Sequence, residues 1–302
     1  MPRALDRAIA GSVKLLPRSI VQRFARRYIA GDTLDHALAT VEQLAAVGCL
    51  ATVDILGEHV VSRDQALATR MAYGEALDRL DAQGLPSGIS VKPTALGLTV
   101  DRSFCLDNLE GLAEQAAAHR RFMRVDMEES TYTGATLDLV ESLHSRHRNV
   151  GAVIQARLRR SEADIERLGR ARISVRLCKG IYQEPPEIAF QGFDEIRERY
   201  LLHLGSLLGA GCFVGIATHD PYLTEEALRL VEHHGVAEGG FEFQMLMGVA
   251  EPLRARLVTA GHRVRVYVPY GRDWFGYSMR RLQENPRMAT HIALSLLRRR
   301  DA

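Results

Sequence analysis

The chain has 302 residues, of which 46% are hydrophobic and 25% are charged, and its formal net charge is +2. This composition is that of a globular protein able to bury a full core, and no motif or charge excess indicates nucleic-acid binding. No apolar run approaches the ~20 residues needed to span a bilayer. The four cysteines are scattered without a CxxC pair, so reduced thiols are expected.

Residues 1–48 are predicted to form a helical segment ahead of the main domain. Within residues 1–30, seven lysines and arginines accompany a single acidic residue, Asp6. We interpret this stretch as a solvated amphipathic helix, with contact to an anionic membrane surface as the alternative. The prediction is a cytoplasmic protein, and peripheral attachment to the inner face of the cytoplasmic membrane stays open.

Residues 49–302 are predicted to form one α/β domain in which strands and helices alternate. Eight short apolar runs are separated by longer charged segments whose apolar residues recur every three or four positions. The runs are 49–58, 88–97, 121–129, 149–158, 172–182, 212–220, 241–249 and 263–271. Eight such units favour a (β/α)8 barrel of the TIM type over a doubly wound sheet, which usually shows a GxGxxG turn after its first strand.

Polar residues stand late in several of these runs, where the active site of such a barrel is built. The alternation around Arg176 puts Val175 and Leu177 on one face and Arg176 on the other, which we assign to the barrel interior. The same test places further polar side chains in the interior or at its mouth: Lys92, Asp126, Gln155, Gln244, Thr218 and His219. A structural ion-pair layer is the alternative, but so many buried polar groups together favour a ligand site.

The residue types at this mouth favour ligand binding over nucleophilic or metal chemistry. There is no GxSxG elbow, no cysteine has a convincing histidine partner, and the histidines lie mostly on predicted helices, so no metal site is expected. Lysine, arginine, glutamine, threonine and histidine side chains are rich in donors. Such a pocket suits a ligand with carbonyls, phosphates or a carboxylate.

A helix carrying aromatic residues and arginines is predicted after the eighth strand, within "YGRDWFGYSMRRLQENP". Tyr277 and Arg281 lie four positions apart there, as do Arg280 and Glu284, so each pair shares a helix surface. Two guanidiniums that approach one carboxylate form a strong and selective clamp. A solvated arginine pair bridged to Glu284 is the alternative.

Seven short motifs occur in one order across about residues 48–295: "SVKPT", "RVDMEE", "VIQARL", "VRLCKGIY", "ATHD", "FEFQML" and "YVPYG…YSMRRLQEN". Together they resemble the proline dehydrogenase family in its monofunctional bacterial form. The resemblance implies a distorted (β/α)8 barrel with N-terminal helices, a C-terminal helix over its mouth, and noncovalently bound FAD.

The resemblance further implies oxidation of L-proline to Δ1-pyrroline-5-carboxylate, the first step of proline catabolism to glutamate. Electrons would pass from the reduced flavoprotein to a membrane quinone. The chain is too short to carry the aldehyde dehydrogenase domain of bifunctional relatives. A separate pyrroline-5-carboxylate dehydrogenase is therefore the expected partner downstream.

The resemblance also implies a role for each matching residue. Arg280 and Arg281 would hold the proline carboxylate, helped by Lys92. Asp126 would act in catalysis beside Lys92, and Arg176 would both bind the flavin and stabilise charge on it. The walls of the substrate pocket would be Tyr182, Leu246, Tyr267 and Tyr277. The other cofactor contacts would be Met127, Gln155, Lys179, Gly180, Ile181, Thr218, His219, Gln244 and Glu284.

Three alternatives stay open at this point. The first is a Schiff-base aldolase that uses Lys92 or Lys179 as its nucleophile. The second is a barrel that binds an amino acid or nucleotide without turnover. The third is a related flavin barrel that acts on a different cyclic amine.

Overall fold

The computed structural model describes Val21 and residues 25–284, with side chains described up to Met279. Eight parallel strands pair in chain order and close into one barrel, in which the first strand also pairs with the last. The strands are β1 (Leu50–Ile55), β2 (Ser87–Val91), β3 (Met123–Val125), β4 (Val150–Gln155), β5 (Ser174–Cys178), β6 (Val214–Ala217), β7 (Phe241–Leu246) and β8 (Val264–Tyr270). The predicted (β/α)8 fold is confirmed.

Helices surround this barrel and follow each strand along the chain. They are α1 (Leu34–Ala46), α2 (Arg63–Ala82), α3 (Arg102–Ala118), α4 (Ser130–His144), α5 (Ser161–Arg170), α6 (Phe193–Gly209), α7 (Pro221–His233), α8 (Glu251–Thr259) and α9 (Trp274–Glu284). A short 3₁₀ helix, Pro93–Leu96, follows β2. Helix α1 precedes the first strand and packs against β1 and β8.

The main core lies between the strands and the helices. Along β5, Val175 and Leu177 are fully buried in this layer, together with Ile165 and Leu168 of α5. Alternate residues of a strand point to opposite faces, so Arg176 between them points into the barrel. The period of two therefore separates an apolar outer face from a polar interior.

The predicted apolar runs extend beyond the strands at their C-terminal ends, and the reason is local. Strand β2 ends at Val91, just ahead of Pro93, which has no N–H to donate to a sheet. Strand β5 ends at Cys178, and Gly180 follows with a φ of +98°. A side chain at that φ would be strained, so the chain turns there through a glycine.

The end of the described chain lies close to the described part of its start. Val21, Ala25 and Tyr28 pack in one apolar cluster with Trp274 and Tyr277 of α9. Residues 1–20 and 22–24, which carry most of the basic N-terminal side chains, lie outside the described residues. Consequently, the division of the chain at residue 48 and the membrane-surface alternative stay predictions. None of the helices in residues 25–284 is both long and apolar enough to cross a membrane.

Candidate active site

A cavity of about 1710 Å³ opens at the C-terminal ends of the barrel strands. Its walls come from strand ends and from the segments that follow them, as the fold class requires. The segment between β5 and α6 supplies many of the lining residues, and Tyr277 of α9 also lines the cavity. The described part of α9 thus contributes to the mouth of the barrel.

The structure brings most of the sequence-predicted side chains to this one cavity. Those that line it are Lys92, Asp126, Met127, Arg176, Lys179, Gly180, Ile181, Tyr182, Thr218, His219, Gln244, Leu246, Tyr267 and Tyr277. Gln155 is buried and does not line the cavity; its Nε2 donates to the backbone oxygen of Glu128 at 3.0 Å, and its Oε1 lies next to Gly180. Arg280, Arg281 and Glu284 were also predicted, and they lie outside the described side chains.

Arg176 is fixed at the floor of the cavity by a buried hydrogen-bond network. Its Nη1 donates to Asp126 Oδ1 at 2.7 Å, and its Nε donates to Gln244 Oε1 at 2.5 Å. Ser90 and Tyr267 donate to the same Asp126 carboxylate, at 2.7 Å and 2.8 Å. Burial disfavours the ionised carboxylate, but the charge of Arg176 and these donors hold the pKa of Asp126 below its ordinary value. Arg176 and Asp126 therefore form an ionised pair.

Lys92 lies beside this pair and shares its carboxylate. Its Nζ is 2.6 Å from Asp54 Oδ1, 3.2 Å from the Tyr267 hydroxyl and 3.6 Å from Asp126 Oδ2. Burial disfavours the ammonium, but Asp54 and Asp126 together raise the pKa of Lys92 above its ordinary value. Lys92 is thus a fixed cation at the wall of the cavity.

The wall formed by Gly180, Ile181 and Tyr182 is supported from behind by two polar side chains. Arg157 Nη1 donates to the backbone oxygen of Tyr182 at 3.0 Å. A Cβ atom at Gly180 would lie 2.8 Å from the Arg157 side chain and 3.0 Å from Gln155 Oε1. Glycine at this position lets the wall backbone pass close to its support, and it leaves backbone surface open to a ligand.

A second charged group lines the cavity where the segments after β5 and β6 meet. Asp220 accepts two hydrogen bonds from the Arg197 guanidinium, both at 2.8 Å, and Lys179 Nζ lies 3.3 Å from Asp220 Oδ2. Nearby, the backbone N–H of Leu246 donates to His219 Nε2 at 2.8 Å. These contacts hold Lys179 and His219 in place at the wall.

The N-terminal end of the barrel contains a buried network around Glu242, which Gln244 links to Arg176. The Glu242 carboxylate accepts from Arg265 at 2.6 Å and 3.1 Å, and Gln244 Nε2 donates to it at 2.7 Å. Arg124 donates to the backbone oxygens of Ala152 and Ser174. This end satisfies its charges with protein groups, and it borders a smaller cavity of about 220 Å³.

The mouth of the barrel therefore presents fixed cations and aromatic rings around a large open volume. Tyr267 illustrates the combination, since the Arg176 guanidinium lies 5.3 Å from its ring centre. Such a site can bind an anionic, planar ligand and orient it without forming a covalent bond to it. The geometry alone leaves the identity of that ligand open.

Comparison with known proteins decides the family. The family model for proline dehydrogenase matches residues 37–293. The chain belongs to the proline dehydrogenase family. Among its relatives, Proline dehydrogenase 2 of Bacillus subtilis is 35% identical over 262 residues, which cover 87% of this chain and 86% of that protein. Proline dehydrogenase of Deinococcus radiodurans is 32% identical over 293 residues, covering 95% and 94%.

Solved structures agree with this membership in the proline dehydrogenase family. Proline utilization A (PutA) from Bdellovibrio bacteriovorus, inactivated by N-propargylglycine, superposes with a TM-score of 0.82 at 26% sequence identity. The match covers 88% of this chain and 33% of that protein, so the chain spans about a third of PutA's length. Membership supports proline oxidation as the activity, and the barrel is that of an oxidoreductase of proline catabolism.

Several charged residues around this cavity were not among those predicted from the sequence. Asp54, Arg157 and Asp220 each contact a predicted residue, but none was selected as a candidate. Asp54 had a usable signal, because it is an acid late in an otherwise apolar run. Arg157 and Asp220 lie just past their strands, where only the folded loop shows which side chain they meet.

Proposed function

We propose that this protein oxidises L-proline to Δ1-pyrroline-5-carboxylate, with FAD bound in the cavity at the mouth of the barrel. One observation carries the proposal: the cavity places Arg176, Lys92 and a set of aromatic rings on one surface in a chain of this family. The proposal extends to electron transfer from the flavin to a membrane quinone, and to a separate dehydrogenase that takes the product onward.

The residues present fit FAD on two grounds. The cavity of about 1710 Å³ exceeds the ~300–1000 Å³ of ordinary small-molecule pockets, so it offers room for a dinucleotide and a substrate together. Gly180 exposes backbone at the cavity wall, and a larger residue there would collide with Arg157 and Gln155 behind the wall. Arg176, Lys179 and His219 would hold the flavin and its dinucleotide tail, and Gln244 would hold Arg176 in position.

Gln155 has an indirect part in this proposal. Its side chain lies beneath Gly180 and donates to the backbone of Glu128, so it would support the flavin wall from behind. The contacts assigned to Met127, Ile181 and Thr218 follow from their position on the cavity wall. Glu284 is proposed as a further contact on the resemblance alone.

The substrate end would lie between Lys92 and α9. Lys92 is held as a cation beside the cavity and would attract the proline carboxylate, which Arg280 and Arg281 are proposed to clamp. Tyr182, Leu246, Tyr267 and Tyr277 line the cavity and would enclose the pyrrolidine ring. The task of these residues is to fix the ring carbon next to nitrogen at the reactive edge of the cofactor.

When bound, FAD would supply the acceptor for the two electrons and the hydrogen that leave this ring carbon. Arg176 would stabilise the negative charge that develops next to it, because a fixed buried cation strengthens electrostatic stabilisation. Asp126 would keep Arg176 in place. The amine proton must also leave the substrate, and Asp126 is a poor acceptor for it because its pKa lies below the ordinary value.

The state of Lys92 disfavours the aldolase alternative. A Schiff-base lysine must lose its proton to act as a nucleophile, and enzymes achieve this by lowering its pKa. The two carboxylates beside Lys92 raise its pKa instead. Lys179 is held in an ion pair with Asp220. Neither lysine therefore resembles an activated amine.

A visible spectrum tests cofactor and substrate together. The purified protein should absorb near ~450 nm, and anaerobic addition of L-proline should bleach that band as the flavin is reduced. A colourless protein would contradict the FAD assignment, whereas a coloured protein that L-proline does not bleach would contradict the substrate assignment. Re-oxidation by a soluble quinone analogue, compared with a dye acceptor, tests the quinone step.

The arginine clamp has its own test. Replacing Arg280 or Arg281 by alanine should raise the KM for proline while the flavin stays bound, and Arg256→Ala on the exposed face of α8 is the matched control. Flavin loss with unchanged proline affinity would reassign these arginines to the cofactor.

A further inference from the structure

Asp54 is a fully buried carboxylate at the end of β1, next to the proposed substrate pocket. Its Oδ1 accepts a 2.6 Å hydrogen bond from Lys92 Nζ, and its Oδ2 has no hydrogen-bond partner among the described residues. A buried charge with an unsatisfied oxygen is costly, so its retention calls for a reason.

The neighbouring tyrosine does not remove this cost. The Tyr73 hydroxyl lies 2.8 Å from the backbone oxygen of Ser90 and 3.3 Å from Asp54 Oδ1. A tyrosine has one hydroxyl proton, which the shorter contact with Ser90 takes. Lys92 is therefore the principal counter-charge of Asp54.

Asp126 offers the same ammonium a second partner, but its carboxylate is already occupied. Arg176, Ser90 and Tyr267 donate to Asp126 at 2.7–2.8 Å, whereas Lys92 stays 3.6 Å away. Without Asp54, the ammonium would move to Asp126 and compete with the guanidinium for its oxygens. The Lys92 ammonium would then no longer lie at the cavity wall, where a ligand could reach it.

We propose that Asp54 is a positioning residue for proline oxidation: it holds the Lys92 ammonium at the cavity wall and keeps it away from the Arg176–Asp126 pair. This inference rests on the proposed function, since it assumes that Lys92 meets the substrate carboxylate. Asp54 does not line the cavity and acts on the substrate through Lys92 alone.

The central experiment is a double-mutant cycle on the FAD-loaded enzyme with L-proline and a dye acceptor. Asp54→Asn should raise the KM for proline by about tenfold or more, with a smaller change in kcat and with flavin content unchanged. Lys92→Met should raise the KM similarly. Because Asp54 acts through Lys92, adding Asp54→Asn to Lys92→Met should change the KM less than about twofold further.

A matched control removes an acid that has no place in the site. Asp107→Asn lies on the exposed face of α3, and it should leave the KM and kcat at their wild-type values. If Asp54→Asn alone fails to fold, the double variant still tests the inference, because it removes both buried charges together. Because an Asp54 without any role would give the same double variant, a KM equal to that of Lys92→Met supports the proposal only together with a KM raised in Asp54→Asn or in the wild type at low pH.

The pH profile gives a readout that a merely structural role would not move. Burial raises the pKa of Asp54 to about 6, against the opposing effect of Lys92. The titratable or charged groups that bear on it are Lys92, Asp126, Tyr73, Tyr267 and Tyr270. As the pH falls through about 6, Asp54 takes up a proton and releases Lys92, so the wild-type KM should rise there and the Asp54→Asn KM should not.

Two results would overturn the inference. One is an Asp54→Asn enzyme with the wild-type KM for proline. The other is multiplication of the Asp54→Asn and Lys92→Met effects in the double variant, which would mean that the residues act independently. A wild-type protein that does not oxidise proline at all would refute the proposed function instead, so the two failures are distinct.

Discussion

The two ends of this barrel bury similar charged groups and differ in what those groups meet. At the N-terminal end, the carboxylate of Glu242 is bound by Arg265 and Gln244, which also reach the large cavity, and Arg124 donates to backbone oxygens. At the C-terminal end, Lys92 and Arg176 are just as firmly held but border a cavity of about 1710 Å³. Buried charge alone therefore does not identify an active site; buried charge beside open volume does.

The network around Glu242 should therefore affect stability far more than catalysis. Glu242→Gln would leave the partly buried Arg265 without its carboxylate, and breaking this pair should lower the free energy of unfolding by about 3 kcal/mol, the lower end of the cost for buried pairs. Urea unfolding measures this loss. The folded fraction should retain the wild-type KM for proline, and a KM change of tenfold or more would contradict the separation.

The C-terminal network should show the reverse pattern. Arg176→Lys keeps the charge but loses the planar fork that contacts both Asp126 and Gln244. Loss of a fixed electrostatic contact to the reacting centre should lower kcat by about 100-fold, while the midpoint of unfolding changes little. Stopped-flow flavin reduction measures the step, and Arg256→Lys serves as control. A variant with near wild-type turnover would contradict the role proposed for Arg176.

Glu128 offers a pH test at the edge of the same mouth. It is buried and accepts two hydrogen bonds from Thr94, and burial raises the pKa of Glu128 to about 7. Since this folded-state pKa exceeds the unfolded value, the folded state binds the proton more tightly. Stability is then greatest below pH ~4.5 for this group and is lost as the pH rises through about 7.

Between pH 5 and pH 8, this titration should remove about 2 kcal/mol of stability, and Glu128→Gln should remove the dependence. Unfolding midpoints of both proteins across this range provide the measurement. Parallel curves for wild type and variant would show that another group is responsible.

The smallest effect is expected where charges are exposed. Arg256 lies 3.8 Å from Glu225, and each side chain is more than half exposed to solvent. Arg256→Gln should change the free energy of unfolding by less than about 0.5 kcal/mol, because water screens such pairs. A larger loss would mean that exposed ion pairs contribute to stability much as the buried networks do, contrary to this prediction.

Local patterns predicted much of this molecule. The eight strands, their order and the inward direction of Arg176 follow from alternation within short runs, and the structure has all of them. Side-chain contacts between different strands could not be predicted in this way. Arg124 meets Ser174, 50 positions away, and Lys92 meets Tyr267, 175 positions away. Such contacts depend on the register between strands, which the period of one strand does not contain.

The residues at which strands end could not be predicted from the sequence pattern either. The run that became β2 was predicted to continue through Pro93, where a 3₁₀ helix begins instead. The missing proline N–H is a local cause, but the contact that fixes this turn, between Thr94 and Glu128, crosses to the next strand. Arg157 and Asp220 lie at such turns, which is why their contacts with the site were missed.

The pairing of β1 with β8 has a consequence for how this protein becomes active. Asp54 is carried by the first strand, Lys92 follows the second, and Tyr267 is carried by the last. The three side chains meet only when the two ends of the sheet join, because the hydroxyl of Tyr267 reaches Asp126 and Lys92 from the closing strand. During synthesis or refolding, catalytic competence should appear with this final closure, however early the separate βα units form.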